Sequence, residues 1–209
     1  MLQPSPSDRR IGIFGGSFNP PHLAHLLVAE LSSEQFHLDR VVWLTNFQSP
    51  LKNVEDVAPA RHRLAMTRLA IEGNERFSVS DLEVRRGGIS YTIDTIRTLQ
   101  EAHPRVDFRL IVGSDSLVDF DTWLEPQEIL DRVRLIIFRR PVSEAAASIA
   151  GFEDRIDYAD APLFDISATV IRSRIRAHKS IRYMVPESVR SYILEHGLYS
   201  SAESASTVT

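Results

Sequence analysis

The sequence predicts an α/β fold, a doubly wound parallel sheet within a single domain, and three features of its 209 residues point that way. Short apolar, β-branched runs alternate with stretches of helical apolar spacing, the order that builds a parallel sheet covered on both faces. Two runs break directly into small residues, Ile11–Phe14 at Gly15-Gly16 and Phe108–Val112 at Gly113-Ser114-Asp115. A third run, Phe164–Ile166, breaks at Ser167. In such Rossmann-like sheets ligands bind beyond the carboxyl ends of the strands, where strand order reverses. The topology therefore gathers these three breaks on one edge.

Taken in order, Ile11–Phe14 is the first strand, and Gly15-Gly16 permits unusual φ values and close approach to a ligand. The turn through Ser17, Phe18 and Asn19 opens into a helix over 22–36 carrying Leu23, Leu26, Leu27, Ala29 and Leu31. Pro20 and Pro21 suit a helix start, where their missing N–H groups would lack an intrahelical partner anyway. Arg40–Leu44 is the next strand, and 45–59 is a long polar connection of the kind that tends to be functional. A helix over Ala60–Ile71 turns Leu64, Ala65 and Leu69 inward and sets Arg61, Arg63 and Arg68 on its wetter faces. Strand Phe77–Ser80, a turn at Gly87-Gly88 and a helix over Thr92–Glu101 follow, then strand Phe108–Val112. A short helix over Glu125–Asp131, strand Arg134–Phe138, a helix over 143–150 and strands at Arg155–Ala159 and Phe164–Ile166 come next. An N-capped helix begins near Ser167, and a last helix runs from Pro186 to a stop at Gly197. Residues 1–9 read as a flexible lead and 200–209 as a disordered polar tail, which leaves one domain over 10–199.

Composition excludes several function classes. A formal net charge of −4 argues against a dedicated nucleic-acid or anionic-membrane surface. With no cysteine there are no disulfides, thiolate metal sites or cysteine nucleophiles, which fits a cytoplasmic protein. No apolar run has the length to span a bilayer, and the N-terminal residues lack the apolar middle of a signal peptide.

The chemistry-bearing residues cluster at the breaks. At the first one, glycine amides, a helix N-terminus and the imidazoles of His22 and His25, three apart, converge on one spot suited to a polyphosphate. The two histidines could instead be surface residues or a metal pair. A metal site needs a third ligand, and no neighbour has a recognised spacing, so phosphate donation is favoured. The glycines match neither the dinucleotide fingerprint nor the P-loop, which argues against a dehydrogenase or a P-loop kinase. The stretch from Ser167 to Arg172 is either a capped helix with a solvent-facing arginine or a second phosphate clamp. Asp115 either caps a helix or accepts from a ribose hydroxyl. Trp123 is either core or a ring that stacks on an aromatic base. Tyr91-Thr92 reads as a helix cap with an edge aromatic, and Lys52 as a lone lysine in the long loop.

In combination these residues resemble a known family. The stretch Gly15-Gly-Ser-Phe-Asn-Pro-Pro-His-Leu-Ala-His25 resembles the N-terminal signature of the HxGH nucleotidylyltransferases, and Ile166-Ser-Ala-Thr-Val-Ile-Arg172 resembles their C-terminal one. Ser49-Pro-Leu-Lys52, Gly88-Ile-Ser-Tyr-Thr-Ile-Asp-Thr95 and Gly113-Ser-Asp115 with Trp123 are similar to the bacterial nicotinate-nucleotide adenylyltransferases in particular. The likeness runs from Arg10 to Tyr199. There are two departures: Ala24 stands where the family has glycine, and Ala168 where it often has serine. Both are small, and the hydroxyl missing at 168 forgoes at most one hydrogen bond, about 0.5–1.5 kcal/mol net.

The resemblance implies transfer of the adenylyl group of ATP to nicotinate mononucleotide, with Mg²⁺ carried on the ATP phosphates and no metal ligands from the protein. It implies His22, His25 and Arg172 as catalytic residues, and Gly15, Gly16, Ser17, Phe18, Ile166, Ser167 and Thr169 on the ATP side. Lys52, Tyr91, Thr92, Asp115 and Trp123 would take the acceptor, with Trp123 stacked on the pyridine ring. The alternatives are a related adenylyl- or cytidylyltransferase with another phosphorylated acceptor, and a catalytically silent nucleotide sensor on the same fold.

Overall fold

The computed structural model describes residues 5, 8–51, 57–114, 119–138, 152–160, 162 and 165–200. Its six strands are β1 (Arg10–Gly16), β2 (Arg40–Thr45), β3 (Phe77–Ser80), β4 (Asp107–Gly113), β5 (Arg134–Phe138) and β6 (Ile156–Ala159). The helices are α1 (Leu23–Gln35), α2 (Ala60–Ile71), α3 (Leu82–Arg86), α4 (Thr92–Ala102), α5 (Pro126–Arg132), α6 (Ala168–Arg176) and α7 (Glu187–Glu195). Every strand pair is parallel and the order is β3-β2-β1-β4-β5-β6. The expected doubly wound sheet is present, with its reversal between β1 and β4.

The period of two along each strand sorts the core into two layers. Phe14, Val41, Trp43, Ile111, Ile136 and Phe138 face one side, where α1, α2, α6 and α7 pack with Ala29, Met66, Ile171 and Val189. Ile11, Ile13, Val42, Leu44, Leu110, Leu135 and Ile137 face the other, against Ile93, Ile96 and Leu99 of α4 and Ile129 and Leu130 of α5. Register aligns Phe14 with Trp43 on one neighbour and with Ile111 on the other, so large side chains fill the centre of the first layer. No helix among the described residues is long and apolar enough to cross a membrane.

Several expectations need correction. Gly15 and Gly16 close β1 and neither has a positive φ; the left-handed residue of the turn is Phe18, at φ 44°. Both prolines lie before α1, whose N-cap is His22. That helix buries Val28, Ala29, Ser32 and Ser33 and leaves Leu23 exposed, because small residues let it lie close on the sheet. Arg63 is on the buried face of α2, only 1% exposed. No strand forms at Asp165 or Ile166, while Phe164 falls outside the described residues. The expected helix over 143–150 also lies outside them, as do most of the N-terminal lead and nearly all of the C-terminal tail. The short helix α3 was not anticipated. Gly87 and Gly88, at φ 69° and 68°, supply the expected turn between it and α4.

Candidate active site

Beyond the C-terminal ends of β1 and β4 the chain leaves the sheet toward opposite faces, and the crevice between them opens into a cavity of about 750 Å³. That is toward the upper part of the range for small-molecule sites, roughly 300–1,000 Å³. The three strand breaks read from the sequence converge here: Gly15, Gly113 and Ser167 all line the space.

One end is built by the first turn. Gly15, Gly16, Ser17 and Phe18 line it, and a Cβ added at Gly15 would meet nothing within 4 Å, so the bare glycine leaves the floor open to a ligand. His22 and His25, the N-cap and third residue of α1, stack with ring centroids 3.6 Å apart. The backbone N–H of His22 donates to Nδ1 of His25 at 3.2 Å. A neutral His25 therefore carries its proton on Nε2, where it can be donated onward. Edge contacts with Phe14 and Phe18 fix the His25 ring from the other side. The first amide of α1, that of Leu23, is already taken by the Met184 carbonyl at 3.0 Å. What this helix start offers is imidazole more than main-chain N–H.

The N-terminus of α6 faces the same end. Ser167 caps it, accepting from Val170 N at 3.2 Å and keeping its own O–H to donate. One turn later Arg172 reaches back, donating to the Asn19 carbonyl at 3.1 Å and more weakly to Thr169 Oγ1 at 3.4 Å, while its buried Nε has no hydrogen-bond partner. Among the described residues it pairs with no carboxylate. Two imidazoles, a guanidinium and a capped helix end give this side a chemistry suited to an anion.

The other end is walled by the start of α4 and by the turn after β4. Tyr91, the N-cap of α4, lines it with Ser90, Thr92 and Thr95. Trp123 lines it too, half-buried and tilted against Phe120 at 5.2 Å, with one part of the ring in the core and one on the cavity. Thus His22, His25, Arg172, Gly15, Gly16, Ser17, Phe18, Ser167, Thr169, Tyr91, Thr92 and Trp123 share one space. Ile166 is not among its lining residues and packs instead against the apolar layer that holds Phe14. Lys52 and Asp115 lie outside the described residues.

Three polar residues that shape this cavity carried no motif, and a fourth, Asn19, lies inside the first signature without an assigned role. Arg63 donates to the carbonyls of Ser17, Asn46, Phe47 and Ala58 and to Asn46 Oδ1, five bonds of 2.7–3.0 Å, with no carboxylate partner among the described residues. Burial pushes its guanidinium down to about 10, which leaves it cationic at neutral pH. Asn19 takes Ala58 N and the Tyr199 hydroxyl on Oδ1, besides Arg172 on its carbonyl. Burial holds the Tyr199 phenol well above its ordinary value, against the pull of Arg172 and Arg63. Glu83, also buried and on the cavity, has its carboxyl raised by desolvation. Spacing carried a signal only for Arg63, which lies four and seven residues before the buried Thr67 and Ala70, on their stripe of α2.

A cytidylyltransferase-like family model matches residues 13–174. A probable nicotinate-nucleotide adenylyltransferase of Salinibacter ruber is 50% identical over 189 residues, 90% of this chain and 97% of its own. One from a Synechococcus strain is 41% identical over 95% of this chain and 99% of its own. Among solved structures, Plasmodium falciparum nicotinic acid mononucleotide adenylyltransferase complexed with NaAD superposes with a TM-score of 0.79 at 23% identity, covering 91% of this chain and 97% of that one. At that identity the superposition speaks for the fold.

Proposed function

The chain belongs to the nicotinate-nucleotide adenylyltransferases, within the cytidylyltransferase-like family, and from that membership we propose how its cavity divides the reaction. The adenylyl group of ATP passes to the phosphate of nicotinate mononucleotide, giving nicotinate adenine dinucleotide and pyrophosphate. The observation that supports this reading is one cavity of about 750 Å³ with imidazoles and a guanidinium at one end and aromatic and hydroxyl groups at the other.

The attacking oxygen belongs to a phosphate that is already ionised near neutral pH, so no protein base or nucleophile is required. It bonds to the α-phosphorus as the bond to the bridging oxygen breaks and the electron pair leaves with pyrophosphate. What the chain must supply is alignment of two anions and donors where negative charge grows. His25, with its proton on Nε2, and His22 beside it donate to the ATP phosphates. Arg172 and the Ser167 hydroxyl hold the β- and γ-phosphates, Thr169 stands next to that clamp, and the Gly15–Phe18 backbone forms the cradle. Tyr91 and Thr92 hold the acceptor, with Trp123 stacked on its pyridine ring.

Among the described residues no three His, Cys, Asp or Glu side chains come together to hold a metal. The donors at the anion end are imidazole, guanidinium and hydroxyl groups, which suit phosphate better than a hard cation. Mg²⁺ carried on the ATP phosphates would supply neutralisation of charge on the leaving pyrophosphate, with these residues holding the phosphates around it.

A pyrophosphate-release assay across acceptors tests the assignment: nicotinate mononucleotide, nicotinamide mononucleotide, phosphopantetheine and a phosphorylated alcohol, each with ATP. Release with nicotinate mononucleotide, abolished by excess chelator, is expected. Release with only another acceptor, or with none, would overturn the reading.

A further inference from the structure

Among the described residues Glu83 is the one buried carboxylate on the cavity that the reaction does not use. It is 7% exposed, lies on α3 and accepts from Thr95 Oγ1 at 2.7 Å. The Ser90 hydroxyl stabilises the charged form of the same carboxylate, and Arg86 reaches the group through Thr95 Oγ1 at 3.2 Å. Ser90 is itself held to the connection after β2: its Oγ accepts Phe47 N at 3.1 Å, and its N–H donates to the Gln48 carbonyl at 2.9 Å. Three separate segments therefore meet at one carboxylate: α3, the first turn of α4 and residues 47–48.

Between the two anchors Ser90 and Thr95 lie Tyr91 and Thr92, both on the cavity wall. A buried carboxylate costs more than an apolar side chain of similar size unless its hydrogen bonds are satisfied. Both hydroxyl partners of Glu83 flank the acceptor segment, so the order it imposes falls there and not on the anion end. Desolvation raises its carboxyl, consistent with a group that organises its neighbours from inside the wall.

We propose that Glu83 is a positioning residue for the phosphorylated acceptor: by fixing Ser90 and Thr95 it sets the Tyr91-Thr92 wall against which the mononucleotide is bound. This rests on the reading that Tyr91 and Thr92 face the acceptor.

The test compares wild type with Glu83→Ala, Glu83→Gln, Ser90→Ala and Tyr91→Ala, measuring KM for each substrate, kcat and Tm. For Glu83→Ala the expected result is an acceptor KM at least tenfold higher with the ATP KM within twofold. Glu83→Gln should recover most of the loss, since its Oε1 can accept from Thr95 and its Nε2 can donate to Ser90. Ser90→Ala should raise the acceptor KM three- to tenfold. A folded Glu83→Ala protein with unchanged acceptor KM, or with both KM values raised alike, would overturn the proposal. If that variant does not fold, an unchanged acceptor KM in Ser90→Ala would do so. Tyr91→Ala separates the two layers of argument. An unchanged acceptor KM there removes the assignment of the wall itself, whereas a raised one beside a silent Glu83→Ala removes only the role of Glu83.

Discussion

Arg63→Met asks whether a buried cation, and not the apolar core alone, holds the rim of the cavity in shape. The substitution keeps an unbranched, flexible stem and removes five hydrogen bonds to Ser17, Asn46, Phe47 and Ala58. At a net ~0.5–1.5 kcal/mol each these amount to roughly 2.5–7.5 kcal/mol. Freeing the fold from burying a guanidinium that desolvation has pushed to about 10 offsets part of this. The expected net loss is ~2–4 kcal/mol. In a chain of this size each kcal/mol is worth about 2–4 °C, so Tm should fall by roughly 4–16 °C. Because the group stays cationic well above neutral pH, the loss should be the same at pH 6 and pH 8. The Ser17 carbonyl is one of the five acceptors, so the ATP KM should rise as well. Arg63→Lys keeps the charge with three donors and no fork, and should fall between the two. Thermal unfolding and steady-state kinetics read both effects. A methionine variant within ~2 °C of wild type, less than about 1 kcal/mol, and with an unchanged ATP KM would refute the argument.

Three further outcomes are expected. His25→Ala should lower kcat/KM by ~10²–10³ with the fold intact by circular dichroism, as loss of a donor to developing charge usually does; near-normal turnover would remove His25 from the chemistry. Trp123→Ala should raise the KM for nicotinate mononucleotide more than that for ATP, and equal changes would mean the ring only packs. The Glu83 carboxyl is raised in the folded protein, so its favourable contribution is complete below its unfolded value of 4.5 and is lost as pH climbs through the folded one. Glu83→Gln should therefore gain stability relative to wild type between pH 4.5 and 8, measured by urea unfolding; a difference that is flat with pH would contradict the shift.

Much of this architecture is legible in the chain because it rests on local periodicity. β3, β5 and α2 have the predicted ends, since their apolar runs are bounded by polar or turn-forming neighbours. The gathering of Gly15 and Gly113 followed from topology, whereas Ser167 reaches the same edge from Asp165 and Ile166, where no strand forms. The failures lie where long-range contacts outrank local preference. Arginine on an amphipathic helix defaults to solvent, and only the carbonyls of three distant loop segments make burial of Arg63 tolerable. Likewise Gly15 and Gly16 suggested a left-handed turn, but sheet pairing to β2 runs through Gly16 and passes the strain to Phe18. Asn19 lay inside the first signature without an assigned role and Tyr199 had no motif, and their meaning arises only when they meet.

That meeting bears on how the active site comes into being during synthesis. Asn19 is bonded to Arg172 and to Tyr199, 153 and 180 residues further along. A nascent chain can begin to pair β1, β2 and β3 while the ribosome is still making the second half. The cavity end built on the first turn, however, stays unfinished until α6 and α7 have emerged, because the guanidinium and the phenol that close that turn lie on α6 and just beyond α7. At a synthesis rate of roughly 5–20 residues per second, the Arg172 guanidinium and the Tyr199 phenol follow Asn19 by about 8–36 seconds, and nucleotide binding should wait for both.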